Sequence, residues 1–358
     1  MRFRCGLGLV VPVVMLGAFC GYAWAQAEDA AQVGLLNPAG VVYAAGSGKV
    51  FTVDTEGNAV VVSEDATGRA TRVTVGKGPV SLAADNQRGL VWVANAGDGT
   101  VSAIDAKSGW VAATVGVGRN PYSVVVNATA AKVYVSHTFN DSLTIVDEES
   151  RTTREVKGLG TDLLAVNEKA GRVYLLGYEG GDLKVLDVDG KKLTQVSPGM
   201  HAWGMVVDSA TGMVFVARTG SAEVAEFDGE GKLVRRIAVG QIPSALAVNA
   251  ETGRVYVANY GGDSMTVIDE KRGVAIETVK VGQRPEGIAV DMRRDRIAVA
   301  NTQSGSVTMV DGKTLRVIET AKAGKHPHAA TFDEASGKVH VANVDAEAAV
   351  TVRVNAAQ

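Results

Sequence analysis

The segment VYVANYGGDSMTVIDEKRGVAIETVKVGQRPEGIAVD, residues 255–291, contains most of one copy of a repeat that decides the fold. Its first element, VYVAN, recurs along the chain at steps of 41, 42, 40, 41, 41, 42 and 42 residues. A constant period of roughly 20 to 50 residues is typical of a repeat architecture. The copies of this element begin at Val50, Val91, Val133, Val173, Val214, Val255, Ile297 and Val339.

A second column, mostly proline, lies twelve residues before each copy. Six of the eight prolines in the chain occupy it, and a glycine stands three residues earlier in seven of the repeats. Gly-x-x-Pro predicts a turn, because glycine accepts positive φ and proline fixes the entry into the next strand. The column consists of Pro38, Pro79, Pro121, Thr161, Ala202, Pro243, Pro285 and Pro327.

Each repeat divides into four short runs of alternating or β-branched residues, such as PEGIAVD, IAVANTQ, SVTMVDG and RVIETAKAG between residues 285 and 324. Four such strands separated by Gly, Asn and Asp turns predict a small antiparallel sheet. One sheet alone exposes both faces, so neighbouring copies must pack face to face around an axis, as in a β-propeller. We therefore predict an all-β fold, a single propeller of eight four-stranded blades by repeat count, with seven blades as the alternative.

The two ends of the repeat predict how the ring closes. Residues 31–40, AQVGLLNPAG, are similar to the end of one repeat running into the next, whereas the last repeat lacks its fourth strand. An outer strand near residues 28–34 would complete the last blade. We expect this single domain to cover residues 26–358.

These repeats resemble a known family. Residues 255–291 look like the YVTN-type propeller repeat, and residues 26–355 resemble YncE-like and archaeal surface-layer propellers. Such relatives often have seven blades. The resemblance implies a propeller but no particular activity, because relatives of this kind include binding proteins, surface-layer modules and cofactor-bearing enzymes.

Residues 1–25 have the pattern of a secretory signal peptide, with Met-Arg-Phe-Arg, an apolar stretch and Ala-Trp-Ala before Gln26. We expect cleavage there and a periplasmic or secreted chain that does not insert into a membrane. An uncleaved anchor and lipidation of Cys20 are the alternatives. Both cysteines, Cys5 and Cys20, lie in the leader, so the mature chain has no disulfide and no cysteine metal ligand.

The charge of the mature chain argues against a nucleic-acid partner. Without Arg2 and Arg4 it has 34 basic and 39 acidic side chains, a balance of −5, and no basic stripe. Two tryptophans, Trp92 and Trp110, lie at strand positions, and we expect both in the core.

Departures from the repeat indicate where a function has been added. The residue after the second strand is Asn or Asp in five repeats, but His137, Gly177 and Arg218 replace it in three consecutive ones. If the strand after Gly-x-x-Pro is innermost, this position and the residues flanking the proline column surround the mouth of the central channel, a usual place for a binding site. The candidate ligand-binding residues are His137, Asp162, His201, Trp203, Arg218, Arg284, Glu286, His326 and His328.

The alternative interpretation is that these positions are ordinary polar surface in degenerate repeats. A metal site built from His326 and His328 with His201 or His137 would lack a clear carboxylate partner, so we predict no metal and no cofactor. The chain also lacks a haem-attachment C-x-x-C-H, a G-x-S-x-G elbow and an H-E-x-x-H motif.

The sequence favours a non-enzymatic, exported binding or scaffold propeller that holds a protein, peptide or small polar ligand at its mouth. One alternative is a lactonase-like hydrolase, in which His201, Arg218 and Glu286 would have to converge on one point. Another is an accessory protein for an exported redox cofactor.

Overall fold

The computed structural model describes residues 40–352, apart from 65–66, 68, 139, 160–162, 178–181, 200, 334 and 344–349. Most of these residues lie in strands and tight turns, and the one helical element among them is a 3₁₀ turn, Thr219–Ser221. No helix in this part of the chain is both long and apolar enough to cross a membrane.

The strands form eight antiparallel sheets, which we number in chain order, and each sheet is built from consecutive strands. Sheets 1 to 4 contain β1 (Val41–Ala44), β2 (Lys49–Asp54), β3 (Ala59–Glu64), β4 (Arg69–Thr74), β5 (Pro79–Asp85), β6 (Leu90–Asn95), β7 (Thr100–Asp105), β8 (Val111–Gly116), β9 (Pro121–Asn127), β10 (Lys132–His137), β11 (Ser142–Asp147), β12 (Thr153–Lys157), β13 (Leu163–Asn167), β14 (Arg172–Leu176), β15 (Leu183–Asp187) and β16 (Lys192–Val196). Sheets 5 to 8 contain β17 (Ala202–Val207), β18 (Val214–Arg218), β19 (Glu223–Phe227), β20 (Leu233–Ala238), β21 (Pro243–Asn249), β22 (Arg254–Asn259), β23 (Ser264–Asp269), β24 (Val274–Lys280), β25 (Pro285–Asp291), β26 (Arg296–Asn301), β27 (Ser306–Asp311), β28 (Val317–Lys322), β29 (Pro327–Phe332), β30 (Val339–Asn343) and β31 (Val350–Val352).

The first strand of each sheet belongs to an inner ring. β1 contacts β5, β5 contacts β9, and the contacts continue through β13, β17, β21 and β25 to β29, which in turn contacts β1. The fourth strands carry the exposed residues and lie outermost. The strand after Gly-x-x-Pro is therefore innermost, as the repeat predicts, and the fold is a single β-propeller.

The number of complete blades differs from the repeat count. The structure has seven blades of four strands, not eight, and the eighth repeat forms a three-stranded sheet, β29 to β31. This sheet packs against the first blade through a core of Val41, Val50, Ala329 and Ala342. The described residues contain no fourth strand to pair with β31, and the outer strand predicted near residues 28–34 lies outside them.

A large residue in the second strand connects neighbouring blades. Trp92 and Tyr134 occupy this position and are fully buried. Trp92 Nε1 donates to Glu148 Oε1 in the next blade at 2.6 Å, and Tyr134 Oη donates to the Val188 carbonyl at 2.7 Å. Burying such a side chain contributes about 1.5–3 kcal/mol, and its polar atom needs a partner. The middle residue of the V-Y-V element therefore both fills and orients the contact between blades.

Trp110 is not in the core, contrary to our expectation, whereas Trp92 is. Trp110 is 77% exposed because it lies in the turn between β7 and β8 and not within a strand.

The asparagine after the second strand and the glycine of Gly-x-x-Pro form a packed pair. Asn259 Nδ2 donates to Thr266 Oγ1 at 2.9 Å and is buried. A Cβ on Gly240 would lie 2.5 Å from Asn259 Cγ, so no larger residue fits there. The same pairing recurs between Asn95 and Gly76 and between Asn301 and Gly282. Space for the amide requires glycine at Gly76, Gly240 and Gly282, whereas Gly118, Gly158, Gly199 and Gly324 have positive φ.

Candidate functional site at the mouth of the inner ring

Six inner strands contain a β-bulge immediately after the proline-column residue with which they begin. In blade 7, Pro285 pairs with Asn301 and Gly287 pairs with Ala300, which leaves Glu286 without a partner in the ladder. A bulge of this kind turns a side chain out of the ladder and is frequent beside active sites. The residues at this position are Val80, Tyr122, Trp203, Ser244, Glu286 and His328.

The residue before the proline column has a left-handed backbone in five sheets. Its carbonyl accepts a hydrogen bond from the turn after the second strand, as in Thr219 N to His201 O at 3.0 Å. The two kinds of loop therefore lie at the same end of the ring, which we call the mouth end. The φ values are 57° at Gly78, 51° at Asn120, 58° at His201, 50° at Ile242 and 50° at Arg284.

An aromatic and cationic stack crosses three blades at the mouth end. The rings of Trp203 in blade 5 and Tyr260 in blade 6 have centroids 6.0 Å apart and an interplanar angle of 35°. In blade 7, Cζ of Arg284 lies 5.5 Å from the Tyr260 ring centroid. Both contacts are attractive at these distances. Trp203 is buried, while Tyr260 and Arg284 are half-buried and keep part of their surface exposed.

Glu286 is a buried carboxyl next to this stack. It is 8% exposed, and its Oε2 accepts a hydrogen bond from Thr302 Oγ1 at 2.8 Å. Burial raises the pKa of Glu286 to about 7, and the bond from Thr302 opposes that shift. Burial is the main cause that raises the pKa of Tyr260, and the charge of Arg284 opposes this shift while that of Glu286 adds to it. A carboxyl that changes charge near neutral pH is typical of functional sites.

His328 is the bulge residue of sheet 8, at the contact with the first blade. A Cβ on Gly40 would lie 2.8 Å from His328 Nε2, so the imidazole sits against the chain that enters β1. Burial lowers the pKa of His328 to about 4, with the backbone of His326 opposing the shift. The ring is therefore uncharged at neutral pH. His326 itself lies just before β29 and is half-buried.

His137 is placed inside a blade. It is 1% exposed, and its Nδ1 and Nε2 lie 2.9 Å from the Arg119 carbonyl and from Thr144 Oγ1. In three other repeats, the asparagine of this column donates to the hydroxyl seven residues later in the chain, as Asn259 does to Thr266. The imidazole of His137 contacts the equivalent hydroxyl and therefore takes the place of that amide. Burial lowers the pKa of His137.

Arg218 belongs to the same column and is also held within its blade. Its Nη1 pairs with Glu223, and its guanidinium lies against Gly199. Glu286 instead bonds Thr302 in blade 7. Arg218 and Glu286 therefore have different partners. His201 lies beside Gly220, where a Cβ would be 3.6 Å from its Cδ2. Asp162 lies outside the described residues.

Sequence analysis missed Tyr260 and Thr302. Tyr260 and Thr302 each directly follow a residue of the asparagine column, a position at which threonine is common. The hydroxyls of Thr55, Thr219 and Thr302 donate to the carbonyl of the proline that begins the next sheet. Tyr260 and Tyr178 are the aromatic residues of this column, and Tyr178 lies outside the described residues. A comparison of one further position of the repeat would have found Tyr260.

The inner ring also has an apolar sector. A cavity of about 350 Å³ lies against β5, β9 and β13, and Ser81 and Ser123 are its only hydroxyl-bearing residues. The rest of its lining is Leu82, Ala83, Val124, Val125, Val126, Leu164 and Val166. Within the described part of the chain, no three His, Cys, Asp or Glu side chains are grouped so as to hold a metal ion.

Comparisons with known proteins agree with the observed fold. The model of a family described as YNCE-like beta-propeller matches residues 9–336. No curated protein sequence matches the chain.

Two solved structures are similar in fold. Dihydro-heme d1 dehydrogenase NirN in complex with DHE has a TM-score of 0.67 and 12% identity over 80% of this chain. The alignment covers 66% of the NirN chain, slightly less than two thirds of it. Hydrazine synthase of Kuenenia stuttgartiensis has a TM-score of 0.61 and 14% identity, with 90% of this chain and 97% of that chain covered. At these identities the likeness concerns the fold alone.

Proposed function

Since the chain belongs to the YncE-like β-propeller family, we propose that it is an exported binding propeller that holds a ligand at the mouth end without transforming it. Membership of the family supports the scaffold, and fold alone does not give function. The export part of the proposal rests on the signal-peptide pattern of residues 1–25. The ligand is a small polar molecule, a peptide or a protein segment.

The observation that carries the proposal is Glu286, a buried carboxyl beside the Trp203–Tyr260–Arg284 stack. A buried ionisable group is costly for the fold unless it is paired, and only the Thr302 hydroxyl bonds it among the described contacts. Burial raises the pKa of Glu286 to about 7, so it can donate or accept a hydrogen bond at neutral pH. Tyr260 supplies a flat apolar surface and Arg284 a cation. Together they suit a ligand with an apolar face, an anionic group and a hydrogen-bonding group.

Thermal unfolding of the chain across a panel of probes tests the proposal. The panel contains short peptides, sugar lactones, redox cofactors and divalent metal salts. A ligand that binds only the native state raises the melting temperature, by a free energy of about 2.7 kcal/mol at one hundred times its Kd. We expect a shift that Arg284→Met and Glu286→Gln each reduce.

Val80→Ala is the matched control, because Val80 occupies the same bulge position in blade 2. We expect it to leave the ligand-induced shift unchanged. A shift lost in Val80→Ala but retained in Arg284→Met and Glu286→Gln would place the ligand elsewhere. No shift with any probe would count against a small ligand and leave a macromolecular partner.

The finer architecture of the ring is also part of this proposal. Residues 28–34 would pair with β31 and give sheet 8 the outer strand that the seven complete blades have. The similarity of residues 31–40 to the end of a repeat supports this pairing.

A further inference from the structure

Trp110 is an exposed aromatic at a position where four other repeats have a polar side chain and blade 6 has Val274. Its carbonyl accepts a hydrogen bond from Asp105 N at 2.9 Å in the turn between the third and fourth strands. The carbonyls of Thr152, Lys191, Lys232 and Arg316 accept the same bond in their own repeats. At 77% exposure the indole leaves most of its apolar surface in water, so packing within the propeller does not explain it.

The space beside the turn that carries Trp110 is open, whereas the preceding blade fills the equivalent space in blades 4 and 5. A Cβ on Gly190 would lie 2.7 Å from Ile145 Cδ1 of the preceding blade, and one on Gly231 would lie 3.0 Å from Val185 Cγ2. At Gly109, the corresponding turn glycine of blade 2, nothing lies within 4 Å. Blades 1 and 2 therefore leave a groove at the outer rim, at a position that is filled between blades 3 and 4 and between blades 4 and 5.

The groove has a volume of about 550 Å³. One wall is the face of blade 1 that carries Lys49, Val62, Glu64, Arg69 and Thr71 on β2, β3 and β4, and Trp110 and Val111 of blade 2 form the other. Among the described residues β4 is the last strand of its sheet, so its outward N–H and C=O groups can pair with an added strand, whose side chains on this face would enter the groove. The edge of β4 thus offers main-chain hydrogen bonds, and Trp110 offers apolar surface.

The charges of the groove leave one cation in excess. Lys49 Nζ lies 3.5 Å from Glu64 Oε1, and Arg72 pairs with Asp54. In the described part of the chain no carboxylate forms an ion pair with Arg69, the first residue of β4. An occupant that brings a carboxylate to Arg69 would balance the site.

We propose that this groove binds an extended peptide segment of a partner protein, which adds to the edge of β4 with an apolar side chain against Trp110 and a carboxylate at Arg69. The groove is at the outer rim, so this site does not depend on the ligand proposed for the mouth end. Extended peptides commonly bind a free sheet edge in this way, and pockets for alternate side chains give the specificity.

Selection of phage-displayed random heptapeptides on the full chain tests the proposal, with Trp110→Thr panned in parallel. Thr is the residue of blade 3 at this position, so the variant restores a side chain that the turn accepts. We expect peptides enriched only on the unmodified chain to contain an apolar residue and an Asp or Glu at alternate positions. A synthetic peptide of the selected sequence should bind Trp110→Thr and Arg69→Gln at least tenfold more weakly.

Val317→Thr is the matched control, because Val317 is a 43% exposed apolar residue at the start of the outer strand of blade 7. It should bind the peptide as the unmodified chain does. Acrylamide quenching is measured on residues 26–358, which contain Trp92, Trp110 and Trp203 but not Trp24. Trp92 and Trp203 are buried, so a peptide that reduces quenching in this chain but not in its Trp110→Thr variant contacts the groove.

Three outcomes would overturn the proposal. These are no enrichment that depends on Trp110, selected peptides that are basic, and equal affinity for the unmodified chain and Trp110→Thr. Protection of Trp110 that grows with protein concentration, together with a dimer mass in light scattering, would assign the groove to a second copy of the chain instead.

Discussion

Two histidines of this chain have opposite surroundings although the sequence groups them together. His137 replaces an asparagine of the repeat and bonds Thr144 within its own blade. His328 is turned out of its ladder by a bulge and lies against the chain that enters β1. Position in the repeat, and not residue type, therefore separates a blade-forming histidine from one at the mouth end. Glu286 belongs to the second group.

Glu286 should make stability depend on pH. Its pKa is raised from 4.5 to about 7 in the folded chain, so the native state binds one more proton than the unfolded state between those values. Stability from this residue is then present at low pH and falls as pH rises through that window, by up to about 3 kcal/mol. Urea unfolding at pH 5 and pH 8 should show Glu286→Gln gaining stability relative to the unmodified chain at pH 8.

Thr302→Val provides the comparison for this prediction. It removes the hydroxyl that holds the pKa of Glu286 down, so the difference between pH 5 and pH 8 should become larger than in the unmodified chain. An identical pH dependence for the unmodified chain and Glu286→Gln would show that Glu286 is not perturbed by burial.

At the scale of the element, the glycine of Gly-x-x-Pro and the asparagine after the second strand act as a unit. Asn259 fills the space beside Gly240. At Gly158 the partner position holds Gly177, and no described atom lies within 4 Å of a Cβ added to Gly158. The pair links the entry of an inner strand to the end of the second strand. The bulge that turns Glu286 or Trp203 out of the ladder lies between the entry of the inner strand and the end of the second strand.

Gly240→Ala should destabilise the chain. The added Cβ would lie 2.5 Å from Asn259 Cγ, a distance that forces the amide to move. Overpacking of this kind costs about 1–3 kcal/mol. Gly116→Ala is the control, because nothing lies within 4 Å of its Cβ direction, and its effect should stay within about 0.5 kcal/mol. Urea unfolding of both variants provides the measurement.

A double-mutant cycle tests the cause of this loss. In an Asn259→Gly background, which reproduces the natural Gly158 and Gly177 pair, Gly240→Ala should cost much less than in the unmodified chain. Equal costs in both backgrounds would mean that the amide is not what Gly240 accommodates.

At the scale of the whole molecule, the inner strands form a closed ring although one sheet has three described strands. The core of Val41, Val50, Ala329 and Ala342 joins the first and last sheets. Closure of a propeller protects sheet edges and fixes the geometry of the mouth end. The proposed strand from residues 28–34 would add a hydrogen-bonded link between the two ends of the chain.

Deletion of residues 26–36 should therefore weaken the ring. Loss of about 2 kcal/mol corresponds to a fall in melting temperature of roughly 3 °C for a chain of this length, at about 2.1 cal/mol/K of unfolding entropy per residue. Hydrogen exchange at the amides of Val350–Val352 should also become faster, because β31 would lose its outer partner. Removal of residues 354–358 is the control and should change neither quantity. Unchanged exchange at β31 after deletion of 26–36 would rule out the proposed pairing.

The all-β propeller could be predicted from the sequence, because the repeat spacing, the proline column and the V-Y-V element are local patterns that recur along the chain. The repeat also predicts the mouth end, since Arg284 lies in a Gly-x-x-Pro turn and His201 occupies the equivalent position before Ala202. Which candidates meet there depends on the tertiary structure. Tyr260 joins Trp203 to Arg284 across three blades, whereas His137 is enclosed in one, and Trp110 is exposed because a neighbouring blade leaves its turn uncovered. Contacts between blades depend on the side chains of two repeats at once, and a pattern within one repeat does not contain that information.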